Sequence, residues 1–208
     1  MEEYRLSNGM TIPKIGFGTW QIPDGEEVYN SVTHALKVGY RHVDTAQIYR
    51  NEVGVGRAIA DSDLARENIF LTTKIWNDKH DYDLAKASIE ESLEKLGVDY
   101  VDLLLIHWPN PKALREKDAW KAGNAGAWKA MEEAYQAGKV RAIGVSNFMI
   151  HHLEALLETA DIKPHVNQVL LAPGCTQDEL VAFCRQHEIL LEAYSPLGTG
   201  SIFDNPVA

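Results

Sequence analysis

Cysteine is scarce: two in 208 residues, Cys175 and Cys184, with no CxxC spacing. That excludes a disulfide scaffold and points to a reducing compartment. Positive charge is in deficit, with 20 Lys and Arg against 30 Asp and Glu, a formal net charge of −10. Nucleic acid and anionic membrane both ask for a basic surplus, so neither is an expected partner. Long apolar runs are missing; Leu103–Ile106 is far too short to cross a bilayer. Met1 to Asn8 carries Glu2 and Glu3 and has no apolar core of a secretory leader, so none is expected. Nucleotide fingerprints are missing too. Gly16-Phe-Gly18 has Gln21 where a third glycine belongs, Gly54-Val-Gly56 has Ile59 there, and no GxxxxGK[ST] occurs. The eight histidines form no HExxH, and the adjacent His151 and His152 read as a solvated helix start, so no metal is expected.

What is present is ordinary soluble composition, 45% apolar and 24% charged, at a length that buries a sizeable core. One pattern recurs: a helix-like stretch ends in glycine and runs straight into an apolar strand. Val28, Val32 and Leu36 precede Gly39 and YRHVDTA; Ala85, Ile89, Leu93 and Leu96 precede Gly97 and VDLLLIHW; Trp128, Met131 and Tyr135 precede Gly138 and VRAIGVS. Glycine takes the left-handed conformation that lets a helix turn back into a strand. Two more helices are expected near Leu153–Ala160 and Glu179–His187, the latter opened by a capping-box spacing, Thr176 to Glu179.

Seven strands, IGFGTW, RHVDTA, IFLTTKIW, VDLLLIHW, VRAIGVS, HVNQV and ILLEAYS, alternate with six helices. Their continuous apolar character is that of parallel strands covered by helices, an α/β protein. A doubly wound sheet and a (β/α)8 barrel both satisfy the pattern. Asn8-Gly9 between short apolar flanks predicts a separate amino-terminal hairpin with a two-residue turn. A complete barrel needs eight strands, so the barrel reading predicts a single domain over 1–208 that lacks its last strand and helix.

Polar residues stand at the ends of otherwise apolar strands: Asp44 in RHVDTA, Lys74 in IFLTTKIW and His107 in VDLLLIHW, with Tyr49 five residues after Asp44. Parallel strands bring their carboxyl ends to one face, so these groups can converge. A buried ammonium needs a partner, and Asp44 on the neighbouring strand is the candidate. An adjacent Lys74 would lower the Tyr49 pKa and make the phenol a better proton donor, while His107 orients a carbonyl oxygen. No side chain donates hydride, so this scheme implies a nicotinamide cofactor.

At these residues the sequence resembles the aldo-keto reductases, through IPKIGFGTW, YRHVDTAQIYRNEVGVGRAI, IFLTTKIW, SLEKLGVDYVDLLLIHWP, GKVRAIGVSNF, VNQV and LLEAYSPLGTG. The bacterial group similar to 2,5-diketo-gluconate reductases and prostaglandin F synthase-like enzymes is nearest in flavour. The resemblance implies a (β/α)8 TIM barrel with an amino-terminal hairpin, here incomplete at its carboxyl end. It implies a catalytic tetrad at Asp44, Tyr49, Lys74 and His107, with Tyr49 the general acid in reduction. It implies NADP(H), NAD(H) being an alternative, with Ser146, Asn147 and Gln168 on the carboxamide and Tyr194 stacked on the ring. Gly18, Thr19 and Trp20 match the turn beside the nicotinamide, close to Asp44. Ser195, Leu197 and Gly198 match the segment over the pyrophosphate. Trp20, Trp76 and Trp108, together with Tyr49 and His107, match the substrate-pocket lining.

The polar stretch from Asn110 to Gly126 is expected to be a long substrate-shaping loop. Two departures stand out. After Asn167-Gln168 the family continues with an acidic residue and His-Pro, where this chain has Val-Leu170-Leu-Ala172-Pro173. The family's 2′-phosphate contacts, a Lys-Ser and a nearby Arg, have no counterpart within the 208 residues. The expectation is a cytoplasmic, monomeric oxidoreductase that reduces aldehydes or ketones. Its rivals are a non-catalytic NADP(H)-binding sensor on the same fold and, more remotely, a metal-dependent sugar isomerase barrel.

Overall fold

The apolar strand runs pair in the order in which they occur. In the computed structural model, which describes residues 2–204, seven parallel strands lie side by side: β3 (Phe17–Gly18), β4 (His42–Asp44), β5 (Phe70–Ile75), β6 (Leu103–Ile106), β7 (Ile143–Ser146), β8 (Val166–Leu170) and β9 (Leu190–Tyr194). Six helices connect them: α1 (Glu26–Lys37), α2 (Glu52–Ala60), α3 (Tyr82–Leu96), α4 (Ala119–Gln136), α5 (Ile150–Leu157) and α6 (Asp178–Gln186). Sequential strand order separates this sheet from a doubly wound one, whose order reverses at a switch point.

One cross-sheet contact shows how far the sheet curls. Gln168 on β8 donates to Asp44 on β4 at 2.8 Å, although four strand steps separate them. A flat sheet would hold those strands roughly 19 Å apart at the usual spacing. The fold is therefore a (β/α) barrel of seven strands, open between β3 and β9 among the described residues.

Period two divides each strand between two cores. Leu71, Ile75, Leu104, Ile106, Val145 and Val169 face the helices and pack in the large core with Val28, Ile89 and the fully buried Trp128. Each such side chain contributes about 1.5–3 kcal/mol relative to exposure. Phe70, Leu103, Leu105, Ala142 and Val166 face inward and form an apolar floor with Leu6 and Ile12. Those last two belong to the hairpin, β1 (Glu3–Arg5) and β2 (Thr11–Pro13), which closes the amino-terminal end of the barrel.

The hairpin turn is longer than Asn8-Gly9 predicts. Leu6 and Met10 pair across three residues, and Gly9 takes the left-handed conformation at φ 88°. Gly97 ends α3 at φ 64°, as the helix–glycine–strand pattern requires. The Thr176–Glu179 capping box does not form. Gln177 caps α6 with its own backbone at φ 48°, and its side chain is drawn off to the Leu170 carbonyl at 2.5 Å. The 110–126 stretch is only partly a loop. Two short 3-10 turns lead into α4 at Ala119, because Trp120 is buried and Asn124 holds the Pro109 carbonyl at 3.0 Å.

Candidate active site

The carboxyl ends of the strands surround a cavity of about 920 Å³. Above the apolar floor the inward positions turn polar: His42 and Asp44 on β4, Thr72 and Lys74 on β5, Gln168 on β8, Glu192 on β9. Lys74 is fully buried and donates to the Asp44 carboxylate and to the Thr45 carbonyl, the latter at 2.9 Å. Gln168 takes the other carboxylate oxygen of Asp44. Both carboxylate oxygens of Asp44 are thereby engaged, and the ammonium has a fixed position.

Tyr49 sits on the 3-10 turn Gln47–Tyr49 directly after β4, and the Lys74 ammonium lies 5.2 Å from its ring centroid. The ring meets Trp20 at 4.9 Å and His107 at 5.8 Å, and Trp76 meets His107 at 5.1 Å. The four residues singled out in the sequence do converge. One expectation is corrected: the Tyr49 pKa is raised rather than lowered, because burial outweighs the opposing charge and hydrogen bond of Lys74. The phenol therefore keeps its proton at neutral pH. His107 is pushed down to about 3, first by burial and then by Lys74, so its imidazole is neutral.

The opposite wall is a hydrogen-bonded set at the ends of β7, β8 and β9. Ser146 donates to the Gln168 carbonyl at 2.8 Å, Asn147 donates to Ser146 at 3.1 Å and to the His107 carbonyl at 3.0 Å, and Tyr194 donates to Asn147 at 2.9 Å. Asn147 and Ser195 hold left-handed backbone at φ 63° and 47°, strain of the kind that concentrates at functional sites. Gly18, Trp20, Trp76, Trp108 and Ser195 also line the cavity. Thr19 does not: its hydroxyl turns to the Asp44 carbonyl and to Asn51. Leu197 and Gly198 lie outside the lining, Leu197 on the exposed rim.

Side-chain amides, a hydroxyl and a tyrosine ring on one wall suit a nicotinamide, whose carboxamide needs donors and acceptors together. The cavity is large enough for it, so the residues fit that cofactor. Two inward residues escaped the sequence reading, His42 and Glu192. An acidic residue in the apolar run ILLEAYS, two positions before Tyr194 and so on the same face, was the available signal.

Residues 14–206 match the model of the aldo/keto reductase family. This chain belongs to that family. It is 49% identical to the glyoxal reductase of Bacillus subtilis (strain 168) over 203 residues, covering 98% of this chain and 70% of that one. It is 47% identical to the 9,11-endoperoxide prostaglandin H2 reductase of Trypanosoma cruzi over 195 residues, covering 94% of this chain and 65% of that one. Among solved structures, the Bombyx mori aldo-keto reductase in complex with NADP superimposes with a TM-score of 0.82 at 38% identity, covering 94% of this chain and 66% of that one. No helix among the described residues is long and apolar enough to cross a membrane.

Proposed function

We propose that this aldo-keto reductase is an NADP(H)-dependent oxidoreductase that reduces aldehydes or ketones to alcohols, with Tyr49 giving the proton. The observation that carries the assignment is a fully buried lysine, tied to Asp44, set against the ring of Tyr49 beside an aromatic-walled cavity. Burying an ammonium is costly even when paired, and setting it against a phenol at the cavity wall is an arrangement suited to proton transfer.

Asp44 keeps Lys74 charged and aimed. Neutral His107 orients the substrate oxygen, and the Trp20, Trp76 and Trp108 rings line the space where the substrate would lie. The bound cofactor supplies hydride to the carbonyl carbon. Tyr49 then breaks its O–H bond to protonate the oxygen, and Lys74 stabilises the phenolate left behind; solvent later restores the proton. Ser146, Asn147 and Gln168 are the groups that would hold the carboxamide, Tyr194 would stack on the ring, and Gly18, Thr19, Trp20, Ser195, Leu197 and Gly198 would flank the rest of the cofactor.

The glyoxal reductase and prostaglandin H2 reductase named among the Bacillus and Trypanosoma relatives support a reductase of small dicarbonyls or prostaglandin-type substrates, and we place the chain in the diketo-gluconate reductase and prostaglandin F synthase-like group as part of that reading. The same reading makes residues 1–208 one barrel-type domain, with the outer edges of β3 and β9 the place for a closing strand, and makes the protein a cytoplasmic monomer. Fluorescence titration with NADPH and NADH, followed by turnover on a carbonyl panel, tests it. Carbonyl-dependent NADPH oxidation that collapses in Tyr49→Phe is the expected result. Tight NADPH binding with no turnover on any carbonyl would establish a sensor instead.

A further inference from the structure

Beneath the Asp44–Lys74 pair lies a second carboxyl. Glu192 projects inward from β9, in register with Gln168 on β8. Its Oε1 is 3.9 Å from His42 Nε2, and its carboxylate, the Asp44 carboxylate and the His42 ring offer atoms all within 4.8 Å of one another. The Oε2 atom of Glu192 is buried with no hydrogen-bond partner. Glu192, His42 and Asp44 all line the substrate cavity, and two carboxyls this close, sharing the one buried ammonium of Lys74, disfavour each other's negative charge.

We propose that Glu192 is a positioning residue for proton transfer, a second carboxyl whose charge state sets how much of the Lys74 charge is left for Tyr49. The inference rests on the reductase reading and deepens it. With Glu192 neutral, Asp44 and Lys74 balance, and the phenolate formed on Tyr49 during reduction feels the ammonium alone. With Glu192 ionised, the buried cluster gains a negative charge and phenolate formation is disfavoured. The ionised form makes Tyr49 a poorer acid and, in the reverse oxidation, a stronger base.

The surrounding groups place this switch near neutrality. Burial raises Glu192 to about 7 and the Asp44 charge adds to it, while the Gln168 amide and Lys74 oppose. His42, on β4, is neutral at this pH, pushed down to about 4 mainly by burial, so it brings no charge. His107 is neutral as well, and Tyr49 and Tyr194 keep their protons. Glu192 is therefore the group of this cluster whose charge changes between pH 6 and 8.

The test compares wild type, Glu192→Gln and Glu192→Asp, each confirmed folded by its thermal melt. Tyr49 phenolate formation is followed by nuclear magnetic resonance of ring-carbon-labelled tyrosine, with Tyr49→Phe assigning the signal. Tyr49 in Glu192→Gln should titrate about one pH unit lower than in wild type, and Glu192→Asp should return toward wild type. The kcat/KM for carbonyl reduction should fall about tenfold in wild type as pH rises through neutrality and stay level in Glu192→Gln. Identical Tyr49 titrations in wild type and Glu192→Gln overturn the proposal whether or not any carbonyl is reduced. Absence of turnover with a shifted titration overturns the reductase reading alone. Should Glu192→Gln fail to fold, infrared titration of the wild type decides: a protonated-carboxyl band lost near neutral pH supports the proposal, and a carboxyl already ionised at pH 5 overturns it.

Discussion

Lys74 lies two residues beyond the rung at which Asp44 pairs with Thr72, and its ammonium bends back across the strand gap to the Asp44 carboxylate. The offset matters because it lifts the charge toward the carboxyl end of β5, beside Tyr49, while leaving it dry. Lys74→Met should lower carbonyl reduction by about 10²–10⁴-fold, the range for a lost acid–base group. It should also destabilise the fold by about 3–5 kcal/mol, since Asp44 would be left charged and uncompensated. Adding Asp44→Asn should restore most of the stability and none of the activity. Urea melts and steady-state rates on the three variants check both halves.

Tyr194 and Asn147 give a second prediction. The Tyr194 hydroxyl holds Asn147 at 2.9 Å, and Asn147 in turn is tied to the Ser146 side chain and the His107 carbonyl. Tyr194→Phe keeps the ring and removes one neutral hydrogen bond, so NADPH affinity should fall about fivefold, within the usual worth of such a bond. Tyr194→Ala removes the stacking surface as well and should weaken binding further. Fluorescence titration measures both; equal affinities in Phe and Ala variants would mean the ring does not meet the cofactor.

The pattern of helix, glycine and strand was enough to read the strands, most helices and the four converging polar residues, because each is a local signal repeated along the chain. Contacts that depend on curvature were not legible. Glu192 meets His42 only because β9 comes round toward β4, and no spacing in the sequence states that closure. Local competition hid other details: the Gln177 side chain prefers the Leu170 carbonyl, and buried Trp120 pulls residues read as loop into α4. The raised Tyr49 pKa shows the same limit. Proximity to Lys74 could be guessed from sequence, but the desolvation that outweighs it could not.

Gly56 yields a packing prediction. In sequence it looks like part of a failed phosphate motif; in the fold it is where α2 lies against the end of α3, and a Cβ there would come within 2.1 Å of the Leu96 carbonyl oxygen. Backbone cannot yield as a flexible side chain can. Gly56→Ala should therefore cost about 1–3 kcal/mol or more, despite the better helix propensity of alanine. Chemical denaturation measures it; a neutral or stabilising outcome would show that the two helices can part.

Buried neutral histidines set the acid limit of the fold. Burial pushes His42, His80 and His152 down to about 4 and His107 to about 3, all from an ordinary 6.5. Between those values and 6.5 the unfolded chain binds protons that the folded chain does not, so stability falls as pH falls through that window. Each histidine adds a slope of up to about 1.4 kcal/mol per pH unit. Below about pH 3 both states are protonated and these groups contribute no further loss. Tm should therefore drop steadily from pH 6.5 to 4. Neither His80 ring nitrogen is in a hydrogen bond of good geometry among the described residues, and Asn124 lies near enough to act on it, so His80→Leu should flatten the slope at modest cost near neutral pH. A Tm that stays level from pH 6.5 to 4 in the wild type would mean that these rings accept protons without unfolding.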